Sequence, residues 1–311
     1  MIQTFEARRS ALKNKFGSLF ILILTAAIWG FAFVAQVEGM AYIGSFTMIG
    51  VRFFIAIIAL APVALILERG RVDKEERKRT VIASVSAGVV LFLASAFQQF
   101  GIQLTGSAGV SGFITGLYTV LVPIACYALF KQKTGINVLL GSVLAIVGLF
   151  LLCSKPGEGL SFGLGELLLL VGALFWTAHV VIIDKLGKGV RSVHFSWGQF
   201  AVCAALGIIS MFAFEQPTVT AIWEAKWAVL YCGLLSSSVA YTLQVVAQKR
   251  SDPTVAAIVL SSEAMFSAIG GLIFKIDNIS IMGYVGCGLM FAGIVVSQIN
   301  IKRKARIDPL A

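Results

Sequence analysis

Two ionisable side chains lie deep inside long apolar stretches of the sequence. Arg52 falls in the stretch 45–67 and Glu263 in the stretch 254–274. A charged group within such a stretch is costly, so it usually faces a cavity or a partner and is a candidate site residue. Arg52 can recognise an anion or carboxylate, or it can cap carbonyls or pair with an acid. Glu263 can bind a substrate ammonium or carry a proton, or it can be the partner of Arg52 or of a backbone group.

Aromatic and amide side chains in the same kind of stretch supply further candidates. His179 follows Trp176 by three residues, so both lie on one helical face, where His179 can relay protons or simply pack. Trp29 and Trp176 lie deep in their stretches and suit a cavity wall, with ordinary core packing as the alternative. The predicted substrate-binding residues are Trp29, Arg52, Gln98, Tyr118, Trp176, His179, Tyr241 and Glu263.

Motifs for catalysis, metal binding and nucleotide binding are missing from the sequence. The five cysteines lie in apolar runs without CxxC spacing, and the two histidines are 15 positions apart. HExxH, GxSxG and GxxxxGK[ST] do not occur. The sequence therefore predicts no catalytic residues, no metal, no cofactor and no direct use of ATP, which argues against a membrane-embedded enzyme.

The composition requires lipid as the solvent for these stretches. Of the 311 residues, 58% are hydrophobic and only 13% are charged, about half the share in soluble domains. About 20 apolar residues span a bilayer as a helix. The sequence predicts an all-α membrane protein with ten transmembrane helices, at about 17–37, 45–67, 80–104, 108–130, 136–153, 164–184, 193–214, 227–248, 254–274 and 280–300.

The positive charges predict the orientation of these ten helices. In a ten-span arrangement, 21 of the 25 Lys and Arg residues fall on one side and three on the other, with Arg52 inside a span. By the positive-inside rule, both termini face the cytoplasm. The net charge of +10 is thus mostly an orientation signal that can also attract anionic lipid, and no nucleic-acid partner is expected.

The chain resembles itself at an offset of about 145 residues. Because each repeat would contain five spans, an odd number, the second must enter the membrane from the opposite face, as in inverted-repeat transporters with a central site. The matched residues are Gln99 with Gln244, Gln103 with Gln248, Gly141 with Gly286, Gly148 with Gly293 and, at 147 residues, Trp29 with Trp176.

The matched glycines lie in the fifth and tenth spans. Small residues let helices approach closely in lipid. They predict close packing within one chain, with a homodimer through these two spans as the alternative.

Several of these segments resemble the EamA-type transporters of the drug/metabolite transporter superfamily. The resemblance covers about residues 17–300 and rests on Trp29-Gly30-Phe31, on Phe46 with Arg52-Phe53, and on Gly112-Phe113-Ile114-Thr115-Gly116. It implies two five-helix repeats, 17–153 and 160–300, around a central cavity, with spans five and ten at the periphery. The family's Glu-Pro pair in the ninth span is replaced here by Glu263-Ala264, so no proline kink is predicted there.

These observations predict a secondary transporter in the cytoplasmic (inner) membrane of a prokaryote. It would move a small organic metabolite, such as an amino acid, by alternating access, between cytoplasmic tails at 1–16 and 301–311. The alternatives are a drug or cation exporter coupled to protons through Glu263, and a non-carrier channel or lipid-handling protein. The expected partners are the small-molecule substrate and membrane lipids.

Overall fold

The fold is helical throughout the part of the chain that the structure describes. A computed structural model describes residues 2–70, 73–132, 134–153, 163–276 and 280–298. The elements, in chain order, are α1 (Ile2–Gly39), α2 (Ser45–Leu67), α3 (Lys74–Thr105), α4 (Ala108–Gly116), α5 (Tyr118–Phe130), α6 (Ile136–Cys153), α7 (Leu164–Leu186), α8 (Ser192–Phe214), α9 (Val219–Glu224), α10 (Lys226–Leu230), the π-helix π1 (Tyr231–Ala240), α11 (Tyr241–Gln248), α12 (Pro253–Leu260), α13 (Glu263–Ile273) and α14 (Ile281–Gln298).

Eight helical segments are long and apolar enough to cross a membrane. They are 16–39, 45–67, 74–105, 108–130, 164–186, 192–214, 226–248 and 253–273. The other two predicted spans also form apolar helices, α6 and α14, which are shorter. The predicted tail at 301–311 and the connection at 154–162 lie outside the described residues.

Two of the long segments are interrupted near their middle, at equivalent places. α4 gives way to α5 at Leu117, and α12 gives way to α13 at Ser261-Ser262, 145 residues later. The hydroxyls of both serines donate to the carbonyls three residues earlier, Ile258 at 2.8 Å and Val259 at 2.7 Å. Such local bonds compete with the α-helical pattern, so a break forms here although no proline follows Glu263.

A third segment, 226–248, changes its winding instead of breaking. Its central ten residues, π1, form a π-helix between α10 and α11. π-Helical turns are rare and frequently occur at functional sites, because the wider winding displaces carbonyls from the regular ladder. Here the carbonyl of Ser236 accepts a bond from the indole Nε1 of Trp29 at 3.2 Å.

Glycines permit the closest helix contacts in the fold. A Cβ atom on Gly293 would lie 2.6 Å from the carbonyl oxygen of Gly141, and one on Gly148 would lie 2.5 Å from that of Gly286. The glycines of the fifth and tenth predicted spans therefore pack α6 against α14 within one chain. The homodimer through the same two helices stays a prediction.

Candidate functional site

The two helix breaks, the π-helix π1 and α1 lie around a central cavity. Its empty volume is about 440 Å³, part of which is open to solvent. Seven of the eight predicted site residues line it, and His179 does not. The lining residues are Trp29, Ala32, Phe33, Gln36, Arg52, Gln98, Thr115, Tyr118, Trp176, Val180, Ser236, Tyr241, Gln244, Leu260 and Glu263.

Arg52 places a buried positive charge in the wall of the cavity. Its side chain is only 2% exposed. One terminal nitrogen, Nη1, donates to Oε1 of Gln36 at 3.0 Å, and the guanidinium carbon lies 4.9 Å from the ring centre of Phe53. Among the described residues, Nε and Nη2 have no hydrogen-bond partner. The alternative in which Arg52 pairs with an acid is not what the structure shows, because its partner is an amide.

Glu263 places a buried carboxylate in the same cavity. It is 4% exposed and is the first residue of α13, directly after the helix break. Tyr118 holds the equivalent position in the first half, as the first residue of α5 after Leu117, and its hydroxyl lies next to the carboxylate. Oε1 of Glu263 has no hydrogen-bond partner within the described part of the chain, and the Tyr118 hydroxyl has no partner there other than this carboxylate.

Three aromatic rings form the remaining wall between these polar groups. The ring centre of Tyr241 lies 4.7 Å from that of Trp29 and 5.9 Å from that of Trp176, with which it is nearly parallel at 15°. The indole of Trp29 is fixed by its bond to π1. Aromatic faces of this kind accept apolar groups by burial and cations through their electron-rich faces.

His179 lies behind the aromatic wall and not in it. The imidazole is fully buried, with its ring centre 5.8 Å from that of Trp176 and 6.2 Å from that of Tyr241. Its Nε2 lies 2.9 Å from Oε1 of Gln199 on α8. This geometry supports the wall, and a proton-relay role stays a prediction.

Four polar residues of the cavity lining were not predicted from the sequence as site residues. Gln98 was among the predicted residues, and its Nε2 donates to Thr115 Oγ1 at 3.1 Å, but Thr115 was not singled out. Gln36, Ser236 and Gln244 also line the cavity. Gln36 carried a usable signal, because an amide within an apolar span is uncommon, whereas small hydroxyl residues occur in many membrane helices.

The lining of the cavity combines aromatic and apolar side chains with polar ones. Eight of its 15 residues are aromatic or apolar and seven are polar or charged. Groups of three or more His, Cys, Asp or Glu side chains that could hold a metal do not occur among the described residues.

The chain is similar in sequence to several known proteins. The chain is 26% identical to an uncharacterized transporter of Archaeoglobus fulgidus, over 90% of this chain and 85% of the relative. It is 23% identical to the uncharacterized transporter YoaV of Bacillus subtilis (91% and 97%), and 21% identical to a WAT1-related protein of Arabidopsis thaliana (78% and 74%).

The fold is also known from a crystal structure. That structure superposes with a TM-score of 0.75 at 17% identity and covers 91% of this chain and 97% of the other. The model of the EamA-like transporter family matches residues 16–154 and 163–298. The protein is therefore a multi-pass membrane protein and belongs to the EamA-like transporter family.

Proposed function

We propose that this protein is a secondary transporter that carries a small zwitterionic metabolite, such as an amino acid, across the cytoplasmic membrane of a prokaryote. In this proposal ten spans form two inverted five-helix repeats with both termini in the cytoplasm. The substrate binds at mid-membrane and is exposed to either side in turn, without chemical change.

One observation carries the choice of substrate. Arg52 and Glu263 have opposite charges, are almost fully buried, line the same cavity and leave hydrogen-bonding atoms without partners. Buried polar groups are normally satisfied, so unfilled donors and acceptors facing one cavity point to a ligand that completes them. A carboxylate would bind the guanidinium, an ammonium would bind the carboxylate, and the rest of the molecule would contact Trp29, Trp176 or Tyr241.

The repeated geometry supports alternating access. The helix breaks before Tyr118 and Glu263 are separated by the same 145 residues that relate the two halves of the sequence. Interrupted helices beside a central site are typical of inverted-repeat transporters, because they offer free backbone groups to the substrate.

Thermal stabilisation by matched ligands tests this proposal. The purified protein is melted with amino acids, with the amines that lack their carboxylate, and with the acids that lack their ammonium group. A ligand that binds only the native state raises the apparent Tm. We expect stabilisation by at least one zwitterion and by neither of its two truncated forms. Equal stabilisation by the truncated forms would contradict the choice of substrate.

A proton-coupled exporter of organic cations is the second candidate. It is favoured by the position of Glu263 in a cavity that also contains three aromatic rings, since aromatic faces and a carboxylate together bind cations. In that case the amines alone would raise the Tm, and Glu263→Gln would abolish uptake driven by a pH gradient. Saturable flux in proteoliposomes separates either carrier from a channel.

A further inference from the structure

The carboxylate of Glu68, just after α2, binds the beginning of α8. The backbone N–H of Val193 donates to Oε1 at 2.9 Å, and that of His194 donates to Oε2 at 2.9 Å. The Nδ1 atom of His194 contacts the same Oε2 at 2.6 Å. A carboxylate at a helix N-terminus satisfies backbone donors that have no partner within their own helix.

Glu215, just after α8, binds the beginning of α2 in the same way. The N–H of Phe46 donates to Oε1 at 2.8 Å, the N–H of Thr47 donates to Oε2 at 2.7 Å, and the hydroxyl of Thr47 donates to Oε2 at 2.7 Å. Each of the two antiparallel helices thus ends in a glutamate that caps the other.

The two caps are equivalent atom by atom. Glu68 and Glu215 are 147 residues apart, and so are their partners, Phe46 with Val193 and Thr47 with His194. The equivalent serines Ser45 and Ser192 also form a hydrogen bond beside each cap, although their partners are not equivalent. At one end Ser45 Oγ donates to Gln103 Oε1 at 2.9 Å, and at the other end Lys249 Nζ donates to Ser192 Oγ at 2.9 Å.

The middle of this helix pair is also tightly joined. A Cβ atom on Gly207 would lie 2.9 Å from the Cα of Gly50, and one on Gly50 would lie 3.1 Å from the backbone nitrogen of Ile208. Such close backbone contact leaves no space for one helix to slide past the other. The α2–α8 pair lies beside the cavity and forms little of its wall. Arg52 is the one residue that α2 contributes to the lining, and α8, which is described over its whole length, contributes no residue.

We propose that Glu68 and Glu215 are positioning residues that clamp α2 and α8 into one unit, and that this unit keeps its internal geometry while access to the cavity alternates. The inference rests on the proposed alternating-access function. In an inverted repeat the two access states are related by exchanging the conformations of the two halves. Contacts that are already the same in both halves survive this exchange unchanged, so the movement falls on the lining helices other than α2.

Glutamine substitutions at the two caps test the inference. E68Q and E215Q remove the charge from each cap, and Glu75→Gln and Glu38→Gln are matched controls with exposed carboxylates. Each variant is combined with Ser236→Cys, a cavity position, in a background without the five native cysteines. Two quantities are measured: the apparent Tm, and the ratio of labelling by a membrane-impermeant thiol reagent from the two sides of oriented vesicles.

We expect both cap variants to lower the Tm by similar amounts, about 3 °C or more, and the controls to leave it unchanged. The labelling ratio should stay within about twofold of the parent, because both caps stabilise one unit and neither favours one access state. Opposite shifts of the ratio in E68Q and E215Q would overturn the inference, since the caps would then be latches that open in turn. An unchanged Tm in both variants would also overturn it.

Milder variants keep the test decisive if E68Q or E215Q does not fold. Thr47→Val and His194→Ala each remove one of the three groups that contact a cap carboxylate. The same comparison of Tm and labelling ratio applies to them. Neither measurement requires a known substrate. A failed search for a bound zwitterion would therefore contradict the proposed function, but the Tm and the labelling ratio would still test whether α2 and α8 form one unit.

Discussion

The ends of the α2–α8 pair and the centre of the molecule differ in how the two halves match. At the ends, Glu68 and Glu215 make the same contacts with equivalent partners. At the centre, the positions that correspond to each other carry different chemistry. Gln199 stands 147 residues after Arg52, and Glu263 stands 145 residues after Tyr118.

The backbone at the centre is nevertheless matched. Gly233 packs against the carbonyl of Arg52, and Gly88, 145 residues earlier, packs against that of Gln199. The halves thus share their packing and differ in the charges that reach the cavity. Shared contacts suit a framework that must work in both access states, whereas a solute with two unlike ends requires unlike groups.

The largest expected effect comes from removing the charges by which the two halves differ at the centre of the molecule. Arg52→Gln gives the first half the same amide that the second half has at the equivalent position, Gln199. Glu263→Gln removes the negative charge of the second half. Each should weaken zwitterion binding by at least about 30-fold, because losing one side of a buried charged pair costs about 2–5 kcal/mol. Ligand titrations of the apparent Tm measure the effect.

Tyr118→Phe is the control for these two substitutions. It changes the position equivalent to Glu263 and removes a neutral hydroxyl whose neighbour is the Glu263 carboxylate, so binding should change by no more than about tenfold. If Tyr118→Phe were as harmful as Glu263→Gln, the charge difference between the halves would not be what recognises the solute.

The next largest effect concerns the matched packing of α6 and α14. Gly293→Ala should destabilise the protein by about 1–3 kcal/mol, because the new methyl would meet the carbonyl of Gly141 at 2.6 Å. Gly288→Ala on the same helix meets nothing within 4 Å and should be neutral or stabilise the protein by up to about 1 kcal/mol. Unfolding in detergent measures both, and equal stability of the two variants would contradict the packing.

A smaller effect follows from the charge of the Glu68 cap. Partial burial raises the pKa of Glu68, but the hydrogen bonds from Val193 and His194 outweigh it and hold this pKa below its ordinary value of 4.5. The folded state therefore binds this proton more weakly than the unfolded state does. The stabilisation is complete above about pH 4.5 and is lost as the pH falls through the lowered value.

The pH dependence of stability checks this expectation. The titratable or charged groups around Glu68 are His194, Arg191, Glu76 and Lys249, of which Arg191 joins the Glu68 carbonyl to the Glu76 carboxylate. We expect the Tm difference between the parent protein and E68Q to shrink from pH 5 toward pH 3.5. A difference that grows over this interval would contradict the assigned sign.

The smallest effect concerns two lysines at helix ends. Lys131 and Lys275 follow α5 and α13 with φ of 53° and 59°, in the left-handed region that glycine adopts more easily. Lys131→Gly and Lys275→Gly should each stabilise the protein by about 1 kcal/mol. Lys131→Ala and Lys275→Ala keep the unfavourable backbone and should not, so a matching gain from alanine would point to charge removal instead.

The sequence alone determined the class of the molecule and singled out the two buried charged groups of the candidate site. The lengths of the apolar stretches predicted the helices, because in lipid the polar groups of the backbone can form hydrogen bonds only with one another. The cost of a buried charge singled out Arg52 and Glu263, and both line the cavity. The offset of 145 to 147 residues was also readable, and it would have paired Glu68 with Glu215, two carboxylates that directly follow apolar spans.

Only the tertiary structure decided which groups meet. Arg52 bonds to Gln36, and His179 lies behind the aromatic wall, bonded to Gln199. Two serines break the ninth predicted span, and π1 replaces α-helix in the eighth. These outcomes depend on side-chain orientation and on local competition for backbone carbonyls. Hydropathy and residue spacing do not encode them, because both quantities describe one segment at a time, whereas a contact depends on two.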